Sequence, residues 1–153
     1  MKHIFKQVKS AAEKLGIELQ VLEIGTSGEL GQALAAAVKG GSLALVTLSS
    51  PLFDERTSTK QIAEFTMEHR LPAISLFRRF AEAGGLMSYG PNQPEYYKRV
   101  PVYIDKILKG AKPADLPVEQ PTTFDLVINM RTAKALALTI RPSILARADE
   151  VIE

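Results

Sequence analysis

Short, mostly apolar runs of strand length alternate with helical stretches through most of this chain, and that alternation constrains the fold more than any other feature. Residues 43–48, 72–76 and 86–89 are such runs, the form taken by strands buried on both faces of a parallel sheet. Residues 17–24 begin by alternating Ile17, Leu19 and Val21 with Glu18 and Gln20 and then turn apolar, which predicts a further strand. Between these lie stretches with helical spacing. In residues 4–15 the apolar positions are Ile4, Val8, Ala11, Ala12 and Leu15, and Gly16 follows as a stop. Thr26-Ser27-Gly28-Glu29 has the form of a capping box, ahead of Leu30, Leu34, Ala37 and Val38, and Gly40-Gly41 closes that helix. Ser58-Thr59-Lys60-Gln61 is a second capping box, with Asp54 as a rival start, for a helix carrying Ile62, Phe65, Thr66 and His69. Residues 78–83 form a short helix ended by Gly84-Gly85. This order of elements predicts βαβ units, a mainly parallel sheet and right-handed crossovers that place helices on both faces.

After Gly90-Pro91 the rhythm changes. Tyr96, Val100, Tyr103, Ile104, Ile107 and Leu108 make a long helical stripe, which Pro101 should kink or delay, and Gly110 ends it. Residues 112–121 hold three prolines and read as an extended connection. A strand over 124–128 follows, then short helices over 132–138 and 143–151. The organisation is an α/β core over residues 1–90, then 91–153 as a crossover, a long helix, a Pro-rich connection and terminal elements.

Composition narrows the function classes. A chain of 153 residues suits one α/β domain. Nineteen Lys and Arg against 17 Asp and Glu leave a net charge of +2, too small and too evenly spread for nucleic acid. With no Cys there is no disulfide, thiolate metal site or Cys nucleophile. The two His, His3 and His69, do not make a metal site, and His69 falls at a helix C-terminus. The residues from Met1 to Lys6 contain no signal-peptide core, so a product made as written stays in the cytoplasm. No stretch approaches the ~20 apolar residues of a membrane span. Gly25, Gly28 and Gly31 lack the spacing of a dinucleotide fingerprint, no Ser/His/acid set argues for a nucleophile, and no cofactor is expected.

More specific residues begin at Glu82. The run Glu82-Ala83-Gly84-Gly85-Leu86-Met87-Ser88-Tyr89-Gly90-Pro91 resembles the hinge-proximal motif of the ABC transporter substrate-binding protein family related to tryptophan-binding lipoproteins. The stretch from Tyr103-Ile104-Asp105-Lys106 through Gly110-Ala111-Lys112-Pro113-Ala114-Asp115-Leu116-Pro117-Val118-Glu119-Gln120-Pro121 resembles it too, as do Phe124-Asp125-Leu126-Val127-Ile128-Asn129 with Thr132-Ala133-Lys134-Ala135-Leu136 after it, and the closing Ala146 to Glu153. The resemblance implies a type I periplasmic-binding fold, in which two α/β lobes close around a solute and dock on a permease. It implies a three-layer, doubly wound lobe, with the N-terminal lobe and the first strand of the C-terminal lobe missing. Pro101 departs from the family, which favours a small helix former there.

In open parallel sheets ligands sit beyond the carboxyl ends of the strands. That rule selects Ser49, Ser50, Pro51 and Phe53, whose hydroxyls and backbone N–H groups suit a carboxylate or amide, against a plain capping role. It also selects Phe77 and Arg78, an aromatic for stacking beside a cation for an anionic group, against a core ring and a solvated helix start. The third set is Tyr89 facing a cleft, with Gly90 and Pro91 as the hinge of an inter-lobe crossover, against a structural turn. The expected function is non-covalent capture of a small organic solute, such as an amino acid, for an ABC importer, and the protein is not an enzyme. The expected partners are the solute, an ABC permease and a second copy of the chain pairing through exposed sheet edges. The resemblance implies a periplasmic or other extracytoplasmic location. The alternatives are an interaction or regulatory module that keeps the fold, and a flavodoxin-like enzyme.

Overall fold

Why each helix stops is legible in its last turn. The structure, a computed structural model, describes residues 2–153, apart from the side chains of Lys2, His3 and Tyr96. The parts assigned to His3 and Tyr96 from sequence therefore lie outside the described residues. The chain divides into two compact units, Met1–Ser42 and Leu43–Glu153.

In the first unit, α1 (Lys2–Leu15) and α2 (Leu30–Lys39) flank a stretch without regular structure and a 3₁₀ turn, Ser27–Glu29. Helix α2 buries Leu30, Leu34 and Ala37, the positions its spacing predicts, while Val38 stays exposed. Among the described side chains of α1 only Ala12 is buried, and Ile4 and Leu15 are exposed. The capping box at Thr26 is half formed. The Thr26 side chain makes no cap bond, whereas the Glu29 carboxylate accepts from the Gly25 N–H at 2.7 Å. That bond holds the Glu29 carboxyl below its ordinary pKa range. The expected strand over 17–24 has no regular structure and joins no ladder among the described residues. Period-two alternation specifies an extended backbone; a strand also needs a hydrogen-bonded neighbour, which local sequence does not supply.

The second unit holds a five-stranded sheet in the order β1-β2-β3-β4-β5. Its strands are β1 (Leu45–Val46), β2 (Ala73–Ser75), β3 (Met87–Pro91), β4 (Phe124–Asn129) and β5 (Glu150–Ile152). The first three run parallel, β4 is antiparallel to β3, and β5 is parallel to β4. After β1 come α3 (Pro51–Asp54) and α4 (Arg56–Glu68), and after β2 comes α5 (Arg78–Glu82). Neither sequence-based start for α4 holds. Ser50 caps α3, accepting from the Leu52 N–H at 3.3 Å, and α4 begins at Arg56. Ser58 and Thr59 are buried inside α4, and the Thr59 hydroxyl donates to the Phe53 carbonyl at 2.9 Å.

Strands β1, β2 and β3 succeed one another in one direction, so both crossovers of this unit return on the same side, and α4 packs against α5. Register sets which side that is. Ser75 pairs with Ser88 and Ser88 with Val127, so Asn129 shares their face, and its Nδ2 donates to the Ala81 carbonyl of α5 at 3.0 Å. The core of this unit includes Ile62, Ala63, Ala73, Phe80, Val127 and Ile128, with Ile128 on the opposite face of β4 from Val127.

Pro101 has the effect its ring dictates. The long stripe is divided into α6 (Gln93–Tyr97) and α7 (Val100–Leu108), with the proline in the first turn of α7, and no residue of α7 is buried. Helix α8 (Met130–Ala135) follows β4. The helix expected over 143–151 is instead α9 (Pro142–Leu145) followed by β5. The free edge of β4 offers hydrogen bonds that a lone helical turn cannot match. Asp149 begins that pairing: its N–H donates to the Leu126 carbonyl at 2.9 Å and its carboxylate accepts from the Leu126 N–H at 2.7 Å.

Helices α1, α2, α4, α5, α7 and α8 each end in a pair of 6→1 and 5→2 bonds closed by a left-handed residue. Four of these residues are the glycines read as stops; the other two are Arg70 (φ 50°) and Ala137 (φ 56°).

Candidate functional site

The pairing pattern brings the predicted residues to one end of the sheet. β1, β2 and β3 run parallel, so Ser49–Phe53 and Phe77–Arg78 follow the carboxyl ends of β1 and β2, and Tyr89–Pro91 form the carboxyl-terminal part of β3 beside them. β4 enters antiparallel to β3, so Phe124 comes to the same end, paired with Pro91. The Tyr89 and Phe124 rings lie 5.8 Å apart at 30°, and are 50% and 43% exposed. An exposed, tilted pair of rings offers an apolar face to a planar group.

Arg78 is not a free cation. Its Nε lies 2.7 Å from Glu82 and its Nη2 2.6 Å from Glu150 at the start of β5. These two bonds raise the guanidinium pKa above its already high value. An incoming carboxylate at Arg78 must therefore share it with Glu82 or displace Glu150. Arg79 is similarly committed: it donates to the Asp54 carbonyl at 2.7 Å, tying α5 to the end of α3. Phe77 is half-buried at the N-cap of α5, and its N–H donates to the Ser75 hydroxyl at 3.3 Å. The Ser50 hydroxyl serves α3 as a cap, while Ser49 and Pro51 are exposed.

Behind these loops the sheet carries a row of buried hydroxyls. Thr47 donates to Ser75 at 2.9 Å, and Ser75 is in register with Ser88. Ser88 Oγ is buried and lacks a hydrogen-bond partner among the described residues. The row lies inside the unit and forms no wall of the exposed site.

Gly90 is needed for space. Its φ is not positive, and a Cβ there would stand 1.8 Å from the Leu76 carbonyl oxygen. Pro91 is exposed on the same ribbon, and the ladder runs on past it: the Asn92 N–H donates to the Thr123 carbonyl at 3.0 Å and Asn92 Nδ2 donates to Asp125. Asn92 also caps α6 through the Glu95 N–H at 2.8 Å. Sequence reasoning missed Phe124, Glu150, Asn92 and Asp125. Each acts through a partner more than 20 residues away, and no local spacing signals such a pairing.

A groove of about 420 Å³ between α4 and α5 is lined by Arg56, Thr59, Lys60, Arg79, Glu82 and Ala83, none of them a predicted site residue. Among the described residues no group of three or more His, Asp or Glu is placed to hold a metal ion, and no helix is long and apolar enough to cross a membrane.

Among the solved structures that resemble the chain are three of which it spans about half the length. A conserved domain protein from Vibrio cholerae aligns with a TM-score of 0.89 at 24% identity, over 97% of this chain and 49% of that one. An ABC domain from Streptococcus pneumonia, solved in complex with L-Trp, aligns with a TM-score of 0.87 at 26% identity, over 99% and 50%. The ligand-free, open form of a substrate-binding protein with adhesive properties from Clostridium difficile aligns with a TM-score of 0.66 at 24% identity, over 99% and 50%. No curated protein matches by sequence. The family model described as ABC transporter substrate binding protein matches residues 1–152, and with this sheet and these loops on one end of it, the chain belongs to that family.

Proposed function

We propose that the carboxyl end of this sheet forms one wall of a cleft that captures a small organic solute, such as an amino acid, for an ABC importer. The observation that carries the reading is the exposed Tyr89–Phe124 ring pair at the end of the sheet that bears residues 49–53, Phe77 and Arg78. The rings take the apolar part of the solute, and Arg78 with the exposed Ser49 takes its carboxylate. Capture is non-covalent, with closure about the crossover at Gly90 and Pro91, and delivery is to an ABC permease outside the cytoplasm. The L-Trp complex of the Streptococcus relative supports an amino acid as the solute. The same reading includes a second copy of this chain as a partner, since strand edges stay unpaired among the described residues.

One wall buries a solute on one side only, so the isolated chain should bind weakly, with Kd near ~1 mM, about −4 kcal/mol. The test is an amide-shift titration with L-Trp. Shifts confined to residues 49–53, 77–78, 89 and 124, and lost in Tyr89→Ala, support the reading. Shifts scattered over the surface, or none at about ten times that concentration, refute it. Micromolar binding by a demonstrated monomer contradicts the single-wall argument.

A further inference from the structure

Helices α4 and α5 pack against each other inside the second unit, and the groove of about 420 Å³ between them is lined by three cations and one carboxylate. Arg56, Thr59 and Lys60 are spaced three and four residues apart on α4, and Arg79, Glu82 and Ala83 repeat that spacing along α5 and its C-cap, so each set shares one face. The fold leaves these cations incompletely matched. The Arg56 guanidinium is exposed and makes no hydrogen bond or ion pair among the described residues. Lys60 meets Glu64 at 3.5 Å, with the two side chains 68% and 65% exposed, a contact that water screens. Arg79 commits Nη1 to the Asp54 carbonyl at 2.7 Å and to the Asp54 carboxylate at 3.4 Å, while its other nitrogens carry no bond among the described residues. Glu82, the one carboxylate of the lining, is bonded to Arg78 at 2.7 Å. Like charges four residues apart on a helix repel, so Arg56 and Lys60 oppose each other until an anion stands between them.

We propose that this groove binds an acidic segment of a partner protein, with Arg56 and Lys60 holding its carboxylates from α4 and Arg79 facing them from α5. Charge complementarity selects the occupant. The planar fork of an arginine matches a carboxylate through two parallel bonds. Glu82 in the groove, with Asp54, Glu55 and Glu64 around it, repels a nucleic-acid strand, in which every unit is negative. A peptide places its acids only where cations stand, and its backbone N–H groups can donate to the carboxylates. None of the six lining residues belongs to the proposed solute wall, so this docking is independent of solute capture.

The probe is a blocked tetra-glutamate peptide, followed by amide shifts at about 0.01 M salt, where the screening length is about 30 Å. Shifts should be confined to residues 56–60 and 79–83 and should vanish at about 1 M salt, where that length falls to about 3 Å. Arg56→Glu with Lys60→Glu should weaken binding at least about ten-fold, since two attractions become repulsions. Both residues are exposed, and the Arg56→Gln and Lys60→Gln pair repeats the test should the reversed pair fail to fold. Lys106→Glu with Lys109→Glu changes the net charge by the same amount on α7 and should leave the affinity within about two-fold. Scattered or absent shifts overturn the proposal, as does an equal loss in the α7 control, which makes the binding a matter of net charge. Equal shifts of the same residues by inorganic phosphate at the same concentration reduce the groove to a general anion site, and tighter binding of a single-stranded oligonucleotide there names a different partner; either result overturns the acidic segment. The L-Trp titration reads residues 49–53, 77–78, 89 and 124, so its failure is seen separately.

Discussion

Replacing Gly90 by Ala tests the β2–β3 geometry on which the site stands. An added Cβ would lie 1.8 Å from the Leu76 carbonyl oxygen and 2.8 Å from the carbonyl carbon. Both atoms belong to backbone, so no rotamer relieves the contact. The two must part by about 1.2 Å before the contact reaches 3.0 Å, a separation that real Cβ atoms essentially never undercut. Gly90 and Leu76 sit just past the last paired residues of β2 and β3, Ser75 and Ser88, so the displacement strains that pairing directly. Overpacking of this kind costs about 1–3 kcal/mol, and a weakened ladder bond adds about 1. Gly90→Ala should therefore lose about 2–4 kcal/mol, a lowering of Tm by roughly 4–16 °C for a chain of this size. Urea unfolding followed by circular dichroism measures the loss, with Gly28→Ala as control, where the new Cβ meets only Thr26 Oγ1 at 3.8 Å. A Gly90→Ala protein within about 0.5 kcal/mol of the parent would refute the close approach and the sheet geometry that requires it.

Arg70→Gly and Ala137→Gly relieve left-handed residues closing α4 and α8, and each should raise stability by about 0.5–1 kcal/mol in the same urea assay. The Glu29 carboxyl, its pKa lowered chiefly by the Gly25 N–H, contributes stability above the ordinary Glu range near 4.5, and loses it as pH falls through the lower folded value. A carboxyl NMR titration should place Glu29 below 4.5, and Glu29→Gln should remove its share of the acid sensitivity. Glu150→Gln leaves Arg78 paired with Glu82 alone; both side chains of the lost pair are exposed, so the change should cost under about 1 kcal/mol in the urea assay. It should also strengthen the weak L-Trp titration, since a solute carboxylate no longer competes with Glu150.

By itself the sequence determined where chain segments change conformation and which residues head the strands. Gly16, Gly41, Gly84 and Gly110 end their helices because the left-handed closing residue has little steric cost in glycine. The apolar runs marked β1, β2 and β3, and that parallel order placed Ser49–Phe53, Phe77 and Arg78 beyond strand ends. Pairings over long distance were decided by tertiary structure alone. Residues 17–24 alternate like a strand yet find no ladder among the described residues, whereas Glu150 and Val151 read as helix and become part of β5 because β4 lies open beside them. Arg78 is a free cation in the sequence and a shared one in the fold, since Glu150 stands 72 residues further along the chain. Helix caps and periodicity act within a few residues, where the chain's own stereochemistry suffices. Strand partners, ring pairs and ion pairs depend on which distant backbone arrives alongside, and that is settled only when the whole sheet closes.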